Sequence, residues 1–358
     1  MRMANLENAP KVKFDTAKNF FNRLEKNKDL IETWVGELYL ELHRGTLTTH
    51  GLVKKQNRKL EWKLRSIEIL WSCLPVKKYP SEALNRLWKK LMINQFHDII
   101  PGSSINMVYQ TTYKEYEEMH EECDRLIMDS SNQLFIKDKN TFVLSNTLSY
   151  SWEGFVEIPG SFDGFLITNE MGKSVKTQKL NGKIIGKVKL EPLTFSTFSR
   201  GPEQNFKNEL VDSLILENDL IRYEFDKDGR MISAYDKDIR KEFLLEPGNV
   251  LSLYEDRPNN WDAWDIDFFY RDAKIQTAEV CEMRPLEKGN VACQLKIRYL
   301  IGGSKIKQNI ILQPHSKRID FSTNVDWNED HKMLRVHFPV TVSYTHLRAH
   351  ETSLHLVC

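Results

Sequence analysis

Apolar side chains recur at helical spacing in three segments between His50 and Ile136. The first segment repeats at intervals of four, three, four and three until Pro75 ends it, through Leu60, Leu64, Ile67, Trp71 and Leu74. The second begins after Pro80 with Ser81 as the predicted N-cap, and we expect one face to hold Leu84, Leu87, Trp88, Leu91 and Met92. The third follows a Pro-Gly break and repeats at four-three spacing through Tyr109, Tyr113, Tyr116, His120, Cys123 and Ile127. Helices with such stripes bury them against each other, so the pattern predicts a three-helix bundle.

Beyond Asn140 the apolar period changes to about 2, and turn signals become frequent. Alternation from Ile221 to Phe225, the turn Asp226-Lys227-Asp228-Gly229 and the return from Met231 to Tyr235 predict a β-hairpin. Similar alternation recurs in Phe155 to Ile158, Lys187 to Leu190, Gln294 to Leu300, Ile306 to Leu312 and Leu334 to Val340. Many short strands without intervening helices predict an antiparallel β-sandwich. Upstream of the bundle, the stretch Phe14 to Leu24 predicts only a short helix.

Composition narrows the class of protein. The chain has 358 residues, more than one typical domain of about 100 to 200 residues needs. Its 51 basic and 50 acidic side chains give a net charge of +1, which argues against a nucleic-acid partner bound through its phosphates. The sequence has no apolar run of about 18 residues, so we expect no membrane span, and Met1 to Asp15 lacks the apolar core of a signal peptide. A homo-oligomer is compatible with this composition.

The cysteines suggest a reducing compartment. Five cysteines lie far apart without a C-x-x-C pair, at Cys73, Cys123, Cys281, Cys293 and Cys358. This spacing favours free thiols over a disulfide framework or a zinc ribbon.

The segment with the most distinctive chemistry is Asn94 to Ser104, which contains His97 next to Asp98 and then a Pro-Gly break. A turn at the end of an amphipathic helix can direct both side chains out of the bundle. Imidazole is a good zinc ligand, and a carboxylate suits sugar hydroxyls or a metal. The alternative is a capping aspartate beside a structural histidine.

Four landmarks together resemble a known family. They are Gly36 to Thr49 (GELYLELHRGTLTT), Asn57 to Glu61 (NRKLE), Asn94 to Ser104 and Trp261 to Asp267 (WDAWDID). Their order is similar to that in the α-mannosidases of glycoside hydrolase family 38, of the cytosolic and bacterial type. The resemblance covers the chain from about residue 14 to about residue 342.

The resemblance implies a multidomain α+β fold: the end of a (β/α) barrel at residues 1–45, a three-helix middle domain at 46–137 and a β-sandwich region at 138–342. It implies a zinc-dependent retaining α-mannosidase that releases terminal α-linked mannose from oligosaccharides in the cytoplasm. His97 matches the zinc ligand that the helical domain supplies, and Asp98 matches the neighbouring aspartate that binds sugar hydroxyls. Trp34 is similar to an aromatic residue lining the sugar site.

Other family features are missing from the sequence. The resemblance implies a nucleophile, an acid/base and further zinc ligands in barrel segments upstream of residue 1, so no catalytic residue is assigned within the chain. One histidine and one aspartate give neither two flanking carboxyl groups nor about three metal ligands. We therefore expect a C-terminal fragment that is inactive alone. Residues 343–358 depart from the family pattern, and we expect them to be non-native.

Two further features leave alternatives open. The many Trp and Asp residues from Trp261 to Asp267 indicate either a sugar-binding platform or an ordered loop packed on the helical domain. The polar cluster of Glu37, Glu41, His43 and Arg44 indicates either a pocket or a solvated connection. At the level of function, a non-catalytic carbohydrate-binding module is the alternative to the enzyme, and a structural protein without a ligand is a third hypothesis.

Overall fold

The computed structural model describes residues 7, 9–35, 43–204 and 208–341. The chain divides into two compact units, Met1–Glu41 and Leu42–Cys358. Within the described part of the first unit lie helix α1 (Ala17–Glu25) and a 3₁₀ turn at Lys28–Leu30. Thr16 is the N-cap of helix α1: its hydroxyl accepts a hydrogen bond from the amide of Asn19, and none of the helix residues is buried. The predicted short helix therefore lies within one turn of its expected place.

The second unit begins with three helices, α2 (Gly51–Ser72), α3 (Ser81–Asn94) and α4 (Asn106–Leu134). Their predicted stripes form one hydrophobic core, whose fully buried members include Leu60, Leu64, Leu91, Tyr109 and Tyr116. The tyrosines of the third stripe thus belong mainly to the core, as expected from their spacing. The prediction of a helical segment followed by antiparallel sheets is confirmed.

Two details of α3 differ from the prediction. Pro80, and not Ser81, occupies the N-cap position, because the Pro80 carbonyl already accepts the hydrogen bond from the Leu84 amide. Met92 is 56% exposed, whereas Leu87 and Leu91 are buried. Met92 is one residue, and so about 100° around the helix, beyond Leu91, which places it past the edge of the apolar stripe.

The strands follow without intervening α-helices. They are β1 (Thr141–Asn146), β2 (Trp152–Ile158), β3 (Phe165–Asn169), β4 (Ser174–Val175), β5 (Thr177–Leu180), β6 (Lys183–Leu190), β7 (Thr194–Glu203), β8 (Glu209–Val211), β9 (Ile215–Glu217), β10 (Ile221–Phe225), β11 (Met231–Asp236), β12 (Lys241–Glu242), β13 (Val250–Glu255), β14 (Lys274–Thr277), β15 (Glu279–Lys288), β16 (Cys293–Ile301), β17 (Ser304–Leu312), β18 (Ile319–Asp326) and β19 (Lys332–His337).

The described strands form five antiparallel sheets. Their orders are β1-β7-β3-β4, β2-β6-β5, β12-β11-β10-β9, β14-β13-β19 and β18-β17-β16-β15-β8. The first two sheets share one core, and the other three share a larger one that contains Leu216, Leu253 and Ile310. The predicted hairpin is the pair β10 and β11, turned at Gly229, which has φ +72°.

Two general predictions concern the whole chain. No helix among the described residues is long and apolar enough to cross a membrane. The four cysteines in the described ranges are unpaired, at Cys73, Cys123, Cys281 and Cys293, while Cys358 lies outside those ranges.

Candidate functional site

His97 and Asp98 lie on the surface of the turn that joins α3 to α4. The His97 Nε2 is 3.6 Å from the Asp98 Oδ2, and the two side chains are 75% and 55% exposed. An exposed imidazole beside an exposed carboxylate can donate or accept hydrogen bonds and can bind a metal. The structure therefore places both groups where a ligand from outside the helical core can reach them.

Backbone carbonyl oxygens hold this turn in place. The Ser104 hydroxyl donates to the Asp98 carbonyl at 2.5 Å, and the buried Tyr109 hydroxyl donates to the Ile99 carbonyl at 3.2 Å. The Tyr109 oxygen in turn accepts the Ser104 amide at 2.9 Å. The Lys54 ammonium donates to the Ile100 carbonyl at 2.7 Å. The turn after His97 is thus fixed from both α2 and α4.

The segment from Gly45 to Thr49 connects this turn with a distant part of the sequence. Lys54 also donates to the Thr49 carbonyl, at 2.6 Å. The Thr49 hydroxyl donates to the Ala263 carbonyl at 3.1 Å, and the Gly45 amide donates to the Trp264 carbonyl at 2.9 Å. The turn that carries His97 and the loop from Trp261 to Asp267 are therefore both anchored on the start of the helical segment.

These contacts show which part of the loop from Trp261 to Asp267 packs on the start of the helical segment. Its inner half packs on the Gly45–Thr49 segment, and the Trp264 ring meets the His43 ring edge-on at 5.3 Å between centroids. Trp261 itself is 67% exposed. The ordered-loop interpretation therefore describes Ala263 and Trp264, whereas Trp261 is still available to a ligand.

Burial shifts the titration of the groups behind the turn. Desolvation lowers the pKa of Lys54 to about 8. Burial and the neighbouring Lys54 charge lower the pKa of His50 as well. His50 stacks on Tyr109 with 3.8 Å between ring centroids, and its Nδ1 lies 3.0 Å from the Tyr113 hydroxyl. A neutral His50 therefore packs behind the turn at neutral pH.

Two further predictions concern residues that precede the helical segment in the sequence. Trp34 belongs to the unit Met1–Glu41 and is 67% exposed. Glu37 and Glu41 lie outside the described residues, so the predicted polar cluster stays a prediction.

The described residues do not complete a zinc site. A zinc ion bound for catalysis takes about three protein ligands and keeps an open position. The described ranges contain no group of three or more histidine, cysteine, aspartate or glutamate side chains arranged to hold a metal. His97 and Asp98 offer at most one imidazole and one carboxylate, so no chemical step through a metal is derived for this chain.

The sequence did not reveal Lys54 as a support of the His97 turn. Lysine on a helix is ordinarily a surface residue, and its two acceptors are backbone carbonyls, which no side-chain pattern identifies. Its one signal is its position next to the apolar stripe, directly after the buried Val53.

Two family domains match the chain. The alpha mannosidase middle domain matches residues 41–134, and the C-terminal domain of glycosyl hydrolases family 38 matches residues 216–351. The second match extends past residue 343, where the sequence was expected to become non-native. The first match includes the turn with His97 and Asp98.

Several characterised proteins are similar to the chain. Alpha-mannosidase G of Dictyostelium discoideum is 31% identical over 91% of this chain and 34% of its own length. Alpha-mannosidase 2C1 of Homo sapiens is 30% identical over 95% of this chain and 33% of its own length. The chain therefore spans about a third of the length of these relatives.

A solved structure shares the fold. The crystal structure of an alpha-mannosidase from Enterococcus faecalis superimposes with a TM-score of 0.63 at 16% identity. The alignment covers 89% of this chain and 47% of that chain.

Proposed function

The chain belongs to the α-mannosidases of glycoside hydrolase family 38, and from this premise we propose that its exposed His97–Asp98 turn forms one edge of a mannose site. The observation that carries the proposal is this pair, 3.6 Å apart on a turn braced by Lys54 and Tyr109, within the matched middle domain. For the whole protein we propose hydrolysis of terminal α-linked mannose from oligosaccharides. The proposed reaction requires zinc and retains the configuration at the anomeric carbon.

In this proposal the residues of the chain bind and orient the sugar. His97 contributes its imidazole as one metal ligand, and Asp98 accepts hydrogen bonds from mannose hydroxyls. Trp34 presents an aromatic face to the sugar ring. A zinc ion held by His97 together with further ligands would supply a positive charge that orients the sugar hydroxyls. The carboxyl groups that attack the anomeric carbon and protonate the leaving group belong to a barrel domain outside this sequence.

The proposal extends to architecture and location. Residues 1–45 are proposed as the end of that barrel, 46–137 as the middle domain and 138–342 as a β-sandwich region. The antiparallel sheets and their shared cores support the last of these. A cytoplasmic location is proposed from the subgroup resembled and from the unpaired cysteines.

Zinc content tests the role of His97. The full reading frame that contains this sequence is expressed, and bound zinc is counted by mass spectrometry in the wild type, His97→Asn and His315→Asn. His315 is a matched control, because its ring lies 2.7 Å from Asp219 and is 67% exposed. Asparagine also tolerates the left-handed φ of +58° at His315.

We expect His97→Asn to lose most of its zinc and His315→Asn to keep it. Equal zinc content in the two variants would contradict the assignment of His97.

A further inference from the structure

A second polar site lies where strand β13 ends and strand β19 begins. Glu255 and Lys332 are paired across these strands, and the Asp256 amide then donates to the His331 carbonyl at 2.8 Å. Beyond this contact is a cavity of about 370 Å³. Its lining residues are Asp256, Arg257, Pro258, Asp262, His331 and Lys332.

Asp256 supplies a free hydrogen-bond acceptor to this cavity. Burial and the nearby Asp262 raise the pKa of its carboxyl group. Within the described part of the chain, no donor forms a hydrogen bond to this carboxylate. A partly buried carboxylate without a donor has unused capacity to accept hydrogen bonds from a ligand.

The same cavity contains donors with spare capacity. The Lys332 ammonium donates to Glu329 at 2.6 Å, and the Arg257 guanidinium donates to Glu255. Lysine has three N–H donors and arginine has five, so each keeps others for a ligand. Acceptors and donors therefore face one small space.

An exposed aromatic residue, Trp261, directly precedes one of the cavity-lining residues in the sequence. Trp261 precedes the lining residue Asp262, is 67% exposed and has φ +65°, a left-handed conformation that L side chains rarely adopt. Its carbonyl accepts the amides of Trp264 and Asp265 at 2.8 and 3.0 Å. Because Trp264 is itself anchored on Gly45, the loop holds this unfavourable conformation in place. Such backbone outliers cluster at binding sites.

We propose that this cavity, together with Trp261, binds a neutral polyhydroxylated ring, that is, one sugar residue. Sugar hydroxyls both donate and accept hydrogen bonds, which suits a lining of carboxylates, lysine and arginine, and an indole ring can cover the apolar face of a sugar. The two carboxylates disfavour a phosphate, and the two cations disfavour a bare metal ion. A volume of 370 Å³ is near the lower end of the range of about 300 to 1,000 Å³ for ligand pockets, so one ring fits better than a long glycan.

The residues that line this cavity do not include His97 or Asp98. Its argument rests on the cavity and on Trp261, and only mannose as the first probe is taken from the proposed function. The two proposals can therefore fail separately, since one depends on His97 and zinc and the other on Asp256 and Trp261.

The test is a titration of the 358-residue chain, without zinc, with the methyl α-glycosides of mannose, glucose and galactose. Binding is followed by saturation-transfer NMR and by tryptophan fluorescence. Asp256→Asn keeps the shape of the side chain, and Trp261→Gly removes the ring at a φ that glycine adopts freely. The control is Tyr150→Ala, which removes an exposed aromatic ring outside the cavity lining.

We expect saturable binding of at least one glycoside, weakened about fivefold or more by each of Asp256→Asn and Trp261→Gly and unchanged in Tyr150→Ala. Circular dichroism of each variant verifies its fold. No saturable binding of any of the three glycosides, or affinities in the two site variants equal to that of the wild type, would overturn the proposal.

Discussion

Replacement of Gly102 tests whether the His97 turn is held against Thr49 as tightly as the structure indicates. Gly102 has φ +95°, and a Cβ added there would lie 2.7 Å from the Thr49 Cγ2 and 2.8 Å from the Thr49 carbonyl oxygen. Thr49 cannot move aside easily, because its carbonyl accepts from Lys54 and its hydroxyl donates to the Ala263 carbonyl. Gly102→Ala therefore combines backbone strain with a steric clash.

The two costs can be estimated separately. An L residue in a left-handed conformation costs about 1 to 2 kcal/mol, and overpacking adds about 1 to 3 kcal/mol. We therefore expect Gly102→Ala to lower the free energy of unfolding of the helical segment by about 3 kcal/mol. Gly172→Ala should cost only the strain of about 1 to 2 kcal/mol, since Gly172 has φ +72° and open space around it. Gly51 lies at the start of α2, and a Cβ added there would meet no neighbouring side chain or loop within 4 Å. Gly51→Ala should therefore be neutral or slightly stabilising.

Urea unfolding followed by circular dichroism at about 222 nm measures these losses in the three variants and the wild type. The expected order of stability is Gly51→Ala, then Gly172→Ala, then Gly102→Ala. If Gly102→Ala lost no more stability than Gly172→Ala, the close packing of the turn on Thr49 would be refuted.

Three further predictions concern pH, activity and the end of the chain. Burial lowers the pKa of Lys54 from 10.5 to about 8. Between these two pH values the unfolded chain holds a proton that the folded chain has lost. The Lys54 contribution to the free energy of unfolding therefore rises with pH in this window and does not rise below it. Urea unfolding at two pH values inside the window should show that Lys54→Met removes this rise, and an unchanged pH slope in the variant would count against the buried ammonium. The 358-residue chain alone should not hydrolyse 4-nitrophenyl α-mannoside, and zinc-dependent release of nitrophenol by the pure chain would disprove that expectation. Deletion of Ser343 to Cys358 should leave the melting temperature unchanged, whereas a large decrease would show that this segment packs on the domain.

The sequence predicted the elements better than their connections. The stripe containing Leu60 and Leu64 identified α2 because helix period and burial are both local properties, and the Asp-Gly signal at Gly229 identified the hairpin for the same reason. The prediction for Met92 was wrong because periodicity locates the centre of a stripe more reliably than its edge.

The bridge between the His97 turn and the Trp261 loop was beyond sequence reasoning. Its acceptors are backbone carbonyls: the Trp264 carbonyl accepts from the Gly45 amide, and the Ile100 carbonyl accepts from the Lys54 ammonium. A backbone carbonyl acceptor is present at every residue, so a hydrogen bond to one in a distant segment cannot be recognised from the sequence. The cavity at Asp256 is hidden for a similar reason, since His331 reaches it only through the pairing of β13 with β19.

The most direct test of the account is the rate of 4-nitrophenyl α-mannoside hydrolysis by the full reading frame, compared among the wild type, His97→Asn and His315→Asn in the presence of zinc. The account predicts measurable hydrolysis by the wild type and an unchanged rate in His315→Asn. In His97→Asn the rate should fall about 100-fold or more, as it does when an interaction at a reacting site is removed. A His97→Asn enzyme as active as the wild type would contradict the claim that this turn forms part of the mannose site.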